Sequence, residues 1–461
     1  MRRIKKPFQF ARKTRFNISV LLLIVAATGC RSADKSDQTL LAEMEHSLRH
    51  ELLEVWYPRT LDTLHGGFLS DFTFDWQPRG RQNKMIVTQA RHVWTASQTA
   101  TFLQDDRYRK IAAHGFHFLK EKMWDETFGG FYMLRNREGN AVDYDYQDEK
   151  RAYGNAFAIY ALAAYYAASG DTAALGLAQK TFRWLEQHSY DPGHKGYFDQ
   201  MARDGSLLRW DRATTKAWDF SSIGWKDQNS SIHLLEAFTE LYRVWPDSLL
   251  RQRLSEMLTL IRDRIITDKG YLTLYLKRDW TPVSFRDSSE AVRRANYSFD
   301  HVSFGHDVET AFLMLEASQV LGIKNDAQTL AVAKKVVDHV LANGWDEQNG
   351  GFFDRGYYFA DADSITIISA VKTWWVQAEG LNALLLMAKL FPQEKKYRAA
   401  FIKEWEYIKK YLIDHEHGEW YEEGLDQSPE QVHAPKARDW KVNYHNSRAL
   451  MHCIKMLKAE I

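Results

Sequence analysis

The chain predicts an all-α fold, an (α/α)6 barrel of six helix pairs with short β-hairpins at one mouth, and two observations carry that prediction. The first is a repeat. An Asp, a few turn residues, a Gly and an aromatic recur as Asp62…Gly67-Phe68, Asp125…Gly130-Phe131, Asp191…Gly196-Tyr197, Asp268…Gly270-Tyr271, Asp346…Gly351-Phe352 and Asp414…Gly418-Glu419-Trp420. Their aromatics stand 63, 66, 74, 81 and 68 residues apart, room in each unit for two helices and a hairpin. The second is apolar spacing of three and four on both sides of every turn, the period of an amphipathic helix.

The helix before each turn (37–56, 106–122, 172–187, 247–264, 327–342 and 395–413) has one apolar stripe and a charged face, as an outer helix has. The helix after each turn (88–104, 151–168, 228–244, 305–322, 372–391 and 442–458) is apolar round more of its circumference, yet holds His, Arg, Glu, Asn and Trp. Those residues would meet if the second helices formed an inner ring. Closure is favoured over an open solenoid because no unit has the polar face of a terminal cap. Twelve helices in one domain, residues 38–461, follow.

With 45% apolar, 14% aromatic and 26% charged residues the chain can bury a large core and is not a disordered segment. Lys and Arg number 61 against 60 Asp and Glu, but seven of the basic residues and no acid lie in residues 1–29, so the body is mildly acidic. That balance argues against a nucleic-acid surface. The N-terminal stretch reads as an export signal over 1–29: a basic start, an apolar run from Ile18 to Ala27 too short to span a bilayer, then small residues. Ala27-Thr28-Gly29-Cys30 resembles a bacterial lipoprotein box. Cys30 is therefore expected to carry lipid, with 30–37 a short tether, and the body to sit exported and membrane-anchored at the cell envelope of a bacterium. The other cysteine, Cys453, falls in an apolar helical run and reads as a small buried hydrophobe, with no intramolecular disulfide.

Every inner helix carries polar or aromatic groups near its N-terminal half: Arg91 and Trp94 on the first, Tyr153 and Asn155 on the second, Asn229, His233 and Glu236 on the third. The fourth has His306, Asp307 and Glu309, the fifth Trp374, Trp375 and Glu379, and the sixth His445 and Arg448 behind Trp440. His233 and Glu236, His306 and Glu309, and His445 and Arg448 each stand three apart, on one helix face. A single helical His is most simply a satisfied core residue. Three at comparable heights on three helices cost several kcal/mol to bury unless they are paired or face a wet cavity, so a pocket on the barrel axis is the cheaper arrangement. No metal is expected, since no helix holds a compact ligand triad, and no cofactor, since no Gly-rich phosphate loop follows a strand.

Two imidazoles, each steadied by a carboxylate, suit proton transfer near neutral pH at a carbon acid beside a carbonyl. At C2 of an open-chain aldose, proton removal gives an enediol. Return to the other face inverts C2, and return at C1 gives a ketose. An Arg near the oxygens would stabilise the enediolate.

The ordered blocks Asn229-x-x-x-His233-x-x-Glu236-Ala237, Ser303-Phe304-Gly305-His306-Asp307-Val308-Glu309, Trp374-Trp375-x-Gln377-Ala378-Glu379 and Trp440-Lys441-x-x-Tyr444-His445-Asn446-x-Arg448 resemble the N-acylglucosamine 2-epimerase family, most of all its cellobiose (mannobiose) 2-epimerase branch. The likeness covers essentially residues 40–461. It implies a cofactor-independent (α/α)6 barrel, expected to be a monomer, that inverts C2 of the reducing-end sugar of a β-linked disaccharide. His306 and His445 would be the acid/base pair on opposite faces of the sugar, and His233 would assist ring opening. Arg91 and Asn229 would bind near the anomeric end, with Tyr153, Glu379 and Arg448 also in contact with substrate. Glu236 and Glu309 would orient histidines or bind hydroxyls, and Trp375 (or Trp374) and Trp440 would stack on the two rings. Ser231, Phe304, Phe312 and Asn443 depart from the branch's usual His, Tyr, Trp and Pro. Within the family an aldose–ketose isomerase or an N-acylglucosamine 2-epimerase is the alternative. Outside it stand an (α/α)6 glycoside hydrolase recruiting Asp307, Glu236 or Glu309, and a non-catalytic sugar-binding lipoprotein.

Overall fold

Each of the six turn signatures closes through an antiparallel bridge: Leu61 with Phe68, Trp124 with Phe131, Tyr190 with Tyr197, Ile266 with Leu272, Trp345 with Phe352 and Ile413 with Trp420. The computed structural model describes residues 35–142, 149–208, 223–359 and 362–459, so the export signal and Cys30 lie outside the described residues. The turns need their glycines. Gly130 has φ 73°, and a Cβ there would stand 2.8 Å from the Trp184 ring.

The outer helices are Lys35–His46 (continued by Ser47–Leu53 and Glu54–Trp56), Asp106–Phe118, Thr172–His188, Ser248–Leu260, Ala327–Asn343 and Lys395–Tyr411. Four of them start on an aspartate, Asp105, Asp171, Asp247 and Asp326, whose carboxylate accepts a free backbone N–H of the first turn. The inner helices are Ile86–Leu103, Ala152–Ser169, Gln228–Val244, Phe304–Val320, Trp374–Leu390 and Tyr444–Leu457. Each packs on the next, and the sixth packs back on the first, so the ring is closed as expected. Among the described residues no helix is long and apolar enough to cross a membrane, and Cys453 is buried and free.

Short strands lock the ring at the hairpin mouth by tying the start of each inner helix to the hairpin of the next unit. Lys84–Met85 pairs with Leu134–Arg135, Lys150–Arg151 with Gln200–Met201, Lys226–Asp227 with Tyr275–Leu276, and Val302–Ser303 with Arg355–Tyr357. Thr373 then bridges to Glu423, and Ala437 bridges to Phe72, which joins the sixth unit to the first.

Side chains repeat the same tie. Two residues before the first, second, third and fifth inner helices stands a lysine with no exposed side-chain surface, and its Nζ reaches the turn aspartate: Lys84 to Asp62 at 3.0 Å, Lys150 to Asp125 at 3.0 Å, Lys226 to Asp191 at 3.2 Å and Lys372 to Asp346 at 2.7 Å. Burial pushes the Asp62, Asp125 and Asp191 carboxyls up, but the lysine and an arginine from the next hairpin hold them well below the usual range. Three residues further into four inner helices, Gln89, Asn155, Asp307 and Gln377 accept the backbone N–H of Phe68, Phe131, Leu272 and Phe352 at 2.8, 2.9, 2.9 and 2.6 Å.

One element differs from expectation. Among the described residues a thirteenth α-helix, Glu290–Asp300, stands between the fourth hairpin and the fourth inner helix, beyond the twelve expected. Ser289 caps it, Phe299 packs on Trp225, Tyr275 and Phe285, and Asp300 accepts from the Phe285 N–H at 2.6 Å and the Tyr357 hydroxyl at 3.0 Å.

Replacing one buried lysine strands an aspartate without its innermost cation. Lys226→Met is expected to cost about 3 kcal/mol and lower the thermal unfolding midpoint. Lys396→Met, at an exposed ion pair, should leave it nearly unchanged, both read by calorimetry.

Candidate active site

The inner helices point their N-terminal turns at the hairpin mouth, and the residues singled out in the sequence converge there. The floor is Arg448, fully buried, on the sixth inner helix. Its Nη1 donates to Glu236 of the third inner helix and, at 2.5 Å, to the Tyr444 hydroxyl, while Nη2 donates to Glu309 of the fourth at 2.5 Å and to Glu379 of the fifth at 2.7 Å. Four of the six inner helices thus meet at one guanidinium. Burial works against its charge, and Glu379, Glu236 and Glu309 overcome that and keep it protonated. Burial also raises the Glu236 carboxyl, but Arg448 and His233 win and bring it down to about 2. For Glu379 burial prevails and the carboxyl is raised.

The histidines stand on this floor. His233 Nδ1 is 2.8 Å from Glu236 Oε2, its neighbour three residues on. His445 Nδ1 is 2.7 Å from Glu379 Oε1, on a different helix. His306 differs from the expectation that a carboxylate steadies it. Its Nδ1 is 2.8 Å from the Ser303 hydroxyl, because the ring leans back toward the start of its helix while Arg448 holds Glu309 Oε1 below. Loss of solvation lowers His306 and His445 well below the ordinary imidazole range. The neighbouring His233, His301 and Arg355 add to that at His306, and Arg91 adds to it at His445.

Aromatic rings form the walls. The Trp375 ring lies 4.8 Å from the His306 ring and 5.7 Å from the His445 ring, so one indole touches both imidazoles. Trp374 is buried under Lys441 instead, which settles which of the two tryptophans faces the histidines. Tyr153 and Phe157 pack on His233 at 5.3 and 4.7 Å. Arg91 lies over the Phe157 ring at 4.6 Å, donates to the Tyr153 hydroxyl at 3.3 Å and to the Trp440 carbonyl at 3.4 Å, and has no partner for Nε.

Asn229 Oδ1, Glu309 Oε2 and Glu379 Oε2 are likewise buried without a partner, and such atoms mark a place where a polar ligand would be welcome. A cavity of about 300 Å³ opens at Tyr153, whose ring packs on His233, and is lined also by Asn229, Trp440, Asp199, Asp227, Trp225 and Tyr275. Burial, with the charge of Asp199, raises the Asp227 carboxyl to about 7.

Glu309, Glu379 and His445 bring ligand-type atoms within 4.8 Å of one another. The positive charge between those two carboxylates is already supplied by the Arg448 guanidinium. The carboxylates that a hydrolase would recruit are also committed. Asp307 is the fourth unit's copy of Gln89, Asn155 and Gln377, spent on a hairpin N–H, while Glu236 and Glu309 are 2% and 1% exposed and bound to Arg448. Sequence reasoning passed over Ser303 as a partner of His306 and treated the three glutamates one by one. The signal for the second was present in Arg448, the one cation placed at the depth of all three.

The N-acylglucosamine 2-epimerase (GlcNAc 2-epimerase) family profile matches residues 66–449. A cellobiose 2-epimerase of Bacteroides fragilis is 30% identical over 422 residues, 91% of this chain and 99% of that protein. A D-mannose isomerase of Marinomonas mediterranea is 23% identical over 416 residues, 88% of this chain and 95% of that protein. The solved structure of cellobiose 2-epimerase from Spirochaeta thermophila is 28% identical and superposes with a TM-score of 0.77, covering 93% of this chain and 99% of that one. With its ring of six helix pairs, its four ordered blocks meeting at one floor and a match over most of its length, the chain belongs to the N-acylglucosamine 2-epimerase family.

Proposed function

We propose that the protein inverts C2 of the reducing-end sugar of a β-linked disaccharide, of the cellobiose or mannobiose type, through ring opening and an enediolate. Family membership makes it a carbohydrate epimerase or isomerase in the broad sense. The observation that supports the finer reading is the packing of His306 and His445 against one indole, Trp375, with His445 held by the Glu379 carboxylate.

The sugar ring opens when a base takes the O1 proton and an acid protonates O5 as the C1–O5 bond breaks. His233, held by Glu236, is the group assigned to that step. One imidazole of the His306–His445 pair then takes the C2 proton. The C–H electrons become the C1–C2 double bond and the carbonyl electrons move onto O1, where Arg91 offers the buried cation that an enediolate needs. The other imidazole returns a proton to C2 on its own side. Loss of solvation keeps both rings free of charge more readily than in water, so each can serve as base. A reducing-end ring stacked on Trp375 reaches both imidazoles, and the cavity past Trp440 gives the second ring its place. Proton return at C1, as in a ketose-forming reaction, is the second reading, favoured by the likeness to a D-mannose isomerase.

The reading also includes export and lipidation at Cys30, motivated by the basic start, the apolar run and Ala27-Thr28-Gly29-Cys30. Labelling with a fatty-acid analogue in a bacterial host is expected, and its survival in Cys30→Ala would remove this part of the proposal.

With residues 35–461, cellobiose or mannobiose in D2O should gain deuterium at C2 and form the other epimer, followed by NMR. His306→Ala and His445→Ala should each lower that rate by at least about 100-fold. A ketose product would move the reading to an isomerase, and free monosaccharide to a hydrolase. Arg448→Met is expected to cost about 3–5 kcal/mol of stability, since three buried carboxylates then lack their cation, and a small fall in the unfolding midpoint would contradict its place as the hub.

A further inference from the structure

Ser303 occupies the position just before the fourth inner helix, where a serine ordinarily accepts a backbone N–H of the first turn. It does not do so here: its hydroxyl makes no cap and instead meets His306 Nδ1 at 2.8 Å, with the residue 5% exposed. The two imidazoles at the reacting carbon therefore have unlike partners. Ionised through its contact with Arg448, Glu379 only accepts, so it fixes His445 with its proton on Nδ1 and offsets part of the loss of solvation that disfavours the charged ring. A hydroxyl both donates and accepts, so it aligns His306 in either protonation state while lending it no negative charge.

The surroundings sharpen the difference. Around His306 stand Ser303, the Trp375 face, His233, His301, His445 and Arg355, none of them an anion, and Glu309 of its own helix is turned to Arg448. Around His445 stand Glu379 and Glu309 against Arg91, Arg448 and His233, with the Tyr444 ring at 4.8 Å.

We propose that Ser303 is the positioning residue of His306, and that the hydroxyl on His306 and the carboxylate on His445 seat the pair's one working proton on His445 in the resting enzyme. This rests on the two-histidine reading above. The pair works only when it carries one proton, so activity falls at low pH as the second proton arrives and at high pH as the first leaves. With the first proton on His445, the acid limb reports His306 and the alkaline limb reports His445. Both limbs are the same for the two epimers as substrates, because they belong to the pair. The ratio of kcat/KM in the two directions stays fixed by the overall equilibrium whatever the variant.

The experiment is the pH dependence of kcat/KM for both epimers of the disaccharide, for the full barrel and for Ser303→Ala, Ser303→Thr and Glu379→Gln, with thermal unfolding checked for each. Ser303→Ala removes the acceptor from the His306 imidazolium, so its charged form is harder to reach. The acid limb should move to lower pH by about one unit, the size of one hydrogen bond to a charged group, with the alkaline limb in place, kcat lower and KM within about twofold. Ser303→Thr should restore the wild-type limb. Glu379→Gln should instead move the alkaline limb to lower pH. An unmoved acid limb in a folded Ser303→Ala, equal movement of both limbs, or failure of threonine to restore it would overturn the proposal. Wild-type protein that forms no epimer and takes up no C2 deuterium would instead sink the two-histidine reading beneath it.

Discussion

The active site depends on the burial of one guanidinium among three carboxylates. Glu236, Glu309 and Glu379 come from three different inner helices and have 2% exposure or less, an arrangement that no carboxylate would tolerate without a cation in contact. Arg448 supplies that cation with a planar fork, which reaches several acceptors from one position as a lysine cannot. Two of the three glutamates then have an oxygen to spend on a histidine: Glu236 holds His233 and Glu379 holds His445. The charge that closes the barrel axis is therefore the same charge that fixes the carboxylates holding two of its histidines.

The rim of the barrel repeats this logic with lysine. Where Arg448 gathers four inner helices on the axis, Lys84, Lys150, Lys226 and Lys372 each fasten the start of an inner helix to the turn behind it. The sixth unit meets its turn aspartate, Asp414, with Lys436 from further back, and the fourth unit has no such lysine. Val302 stands where the lysine would be, and Asp268 is exposed. The unit keeps its hairpin through Asp307, adds the strand Thr366–Ser369 to its sheet, and inserts the helix Glu290–Asp300, whose Asp300 is tied to Tyr357. This is also the unit that presents Ser303 and His306 to the pocket. Where the common fastening is given up, the residues at the mouth are free to differ from their counterparts in other units.

The ring of six was legible in the sequence because a repeat needs no knowledge of tertiary partners: each Asp, Gly and aromatic marks a turn by its own local chemistry, and the periodicity on either side fixes helix from loop. Among the described residues, twelve of the thirteen α-helices lie close to the ends the spacing predicts. The helix Glu290–Asp300 was passed over although Ser289 and Glu290 begin it as caps do, because its three turns lay inside one long spacing. The site was legible as a set of residues and much less so as a set of pairs. His306 and Glu309 have the same spacing as His233 and Glu236, yet only the second two are bonded, since the first depends on what Arg448 has already claimed from another helix. The partnership of Ser303 with His306 depends on the ring orientation of the histidine, which the sequence does not carry.

The same dependence separates this site from the hydrolytic ones that an (α/α)6 barrel can also build. A glycosidase needs two carboxyl groups with open faces at a set separation, one of them able to hold a proton. Here the axial carboxylates have surrendered at least one oxygen to Arg448, and Asp307 is occupied by the Leu272 N–H. Of the two carboxylates that line the cavity, Asp199 accepts from Arg151 and the Tyr153 N–H, and Asp227 accepts the Ser230 N–H at the start of its helix. Imidazoles shifted down by loss of solvation are held more readily in the neutral form that can take a proton from carbon beside a carbonyl, where a cation such as Arg91 can meet the oxygen. The floor thus ties one oxygen of each axial acid to Arg448, and the proposed proton transfer at carbon would use the imidazoles, the indole and Arg91 above it.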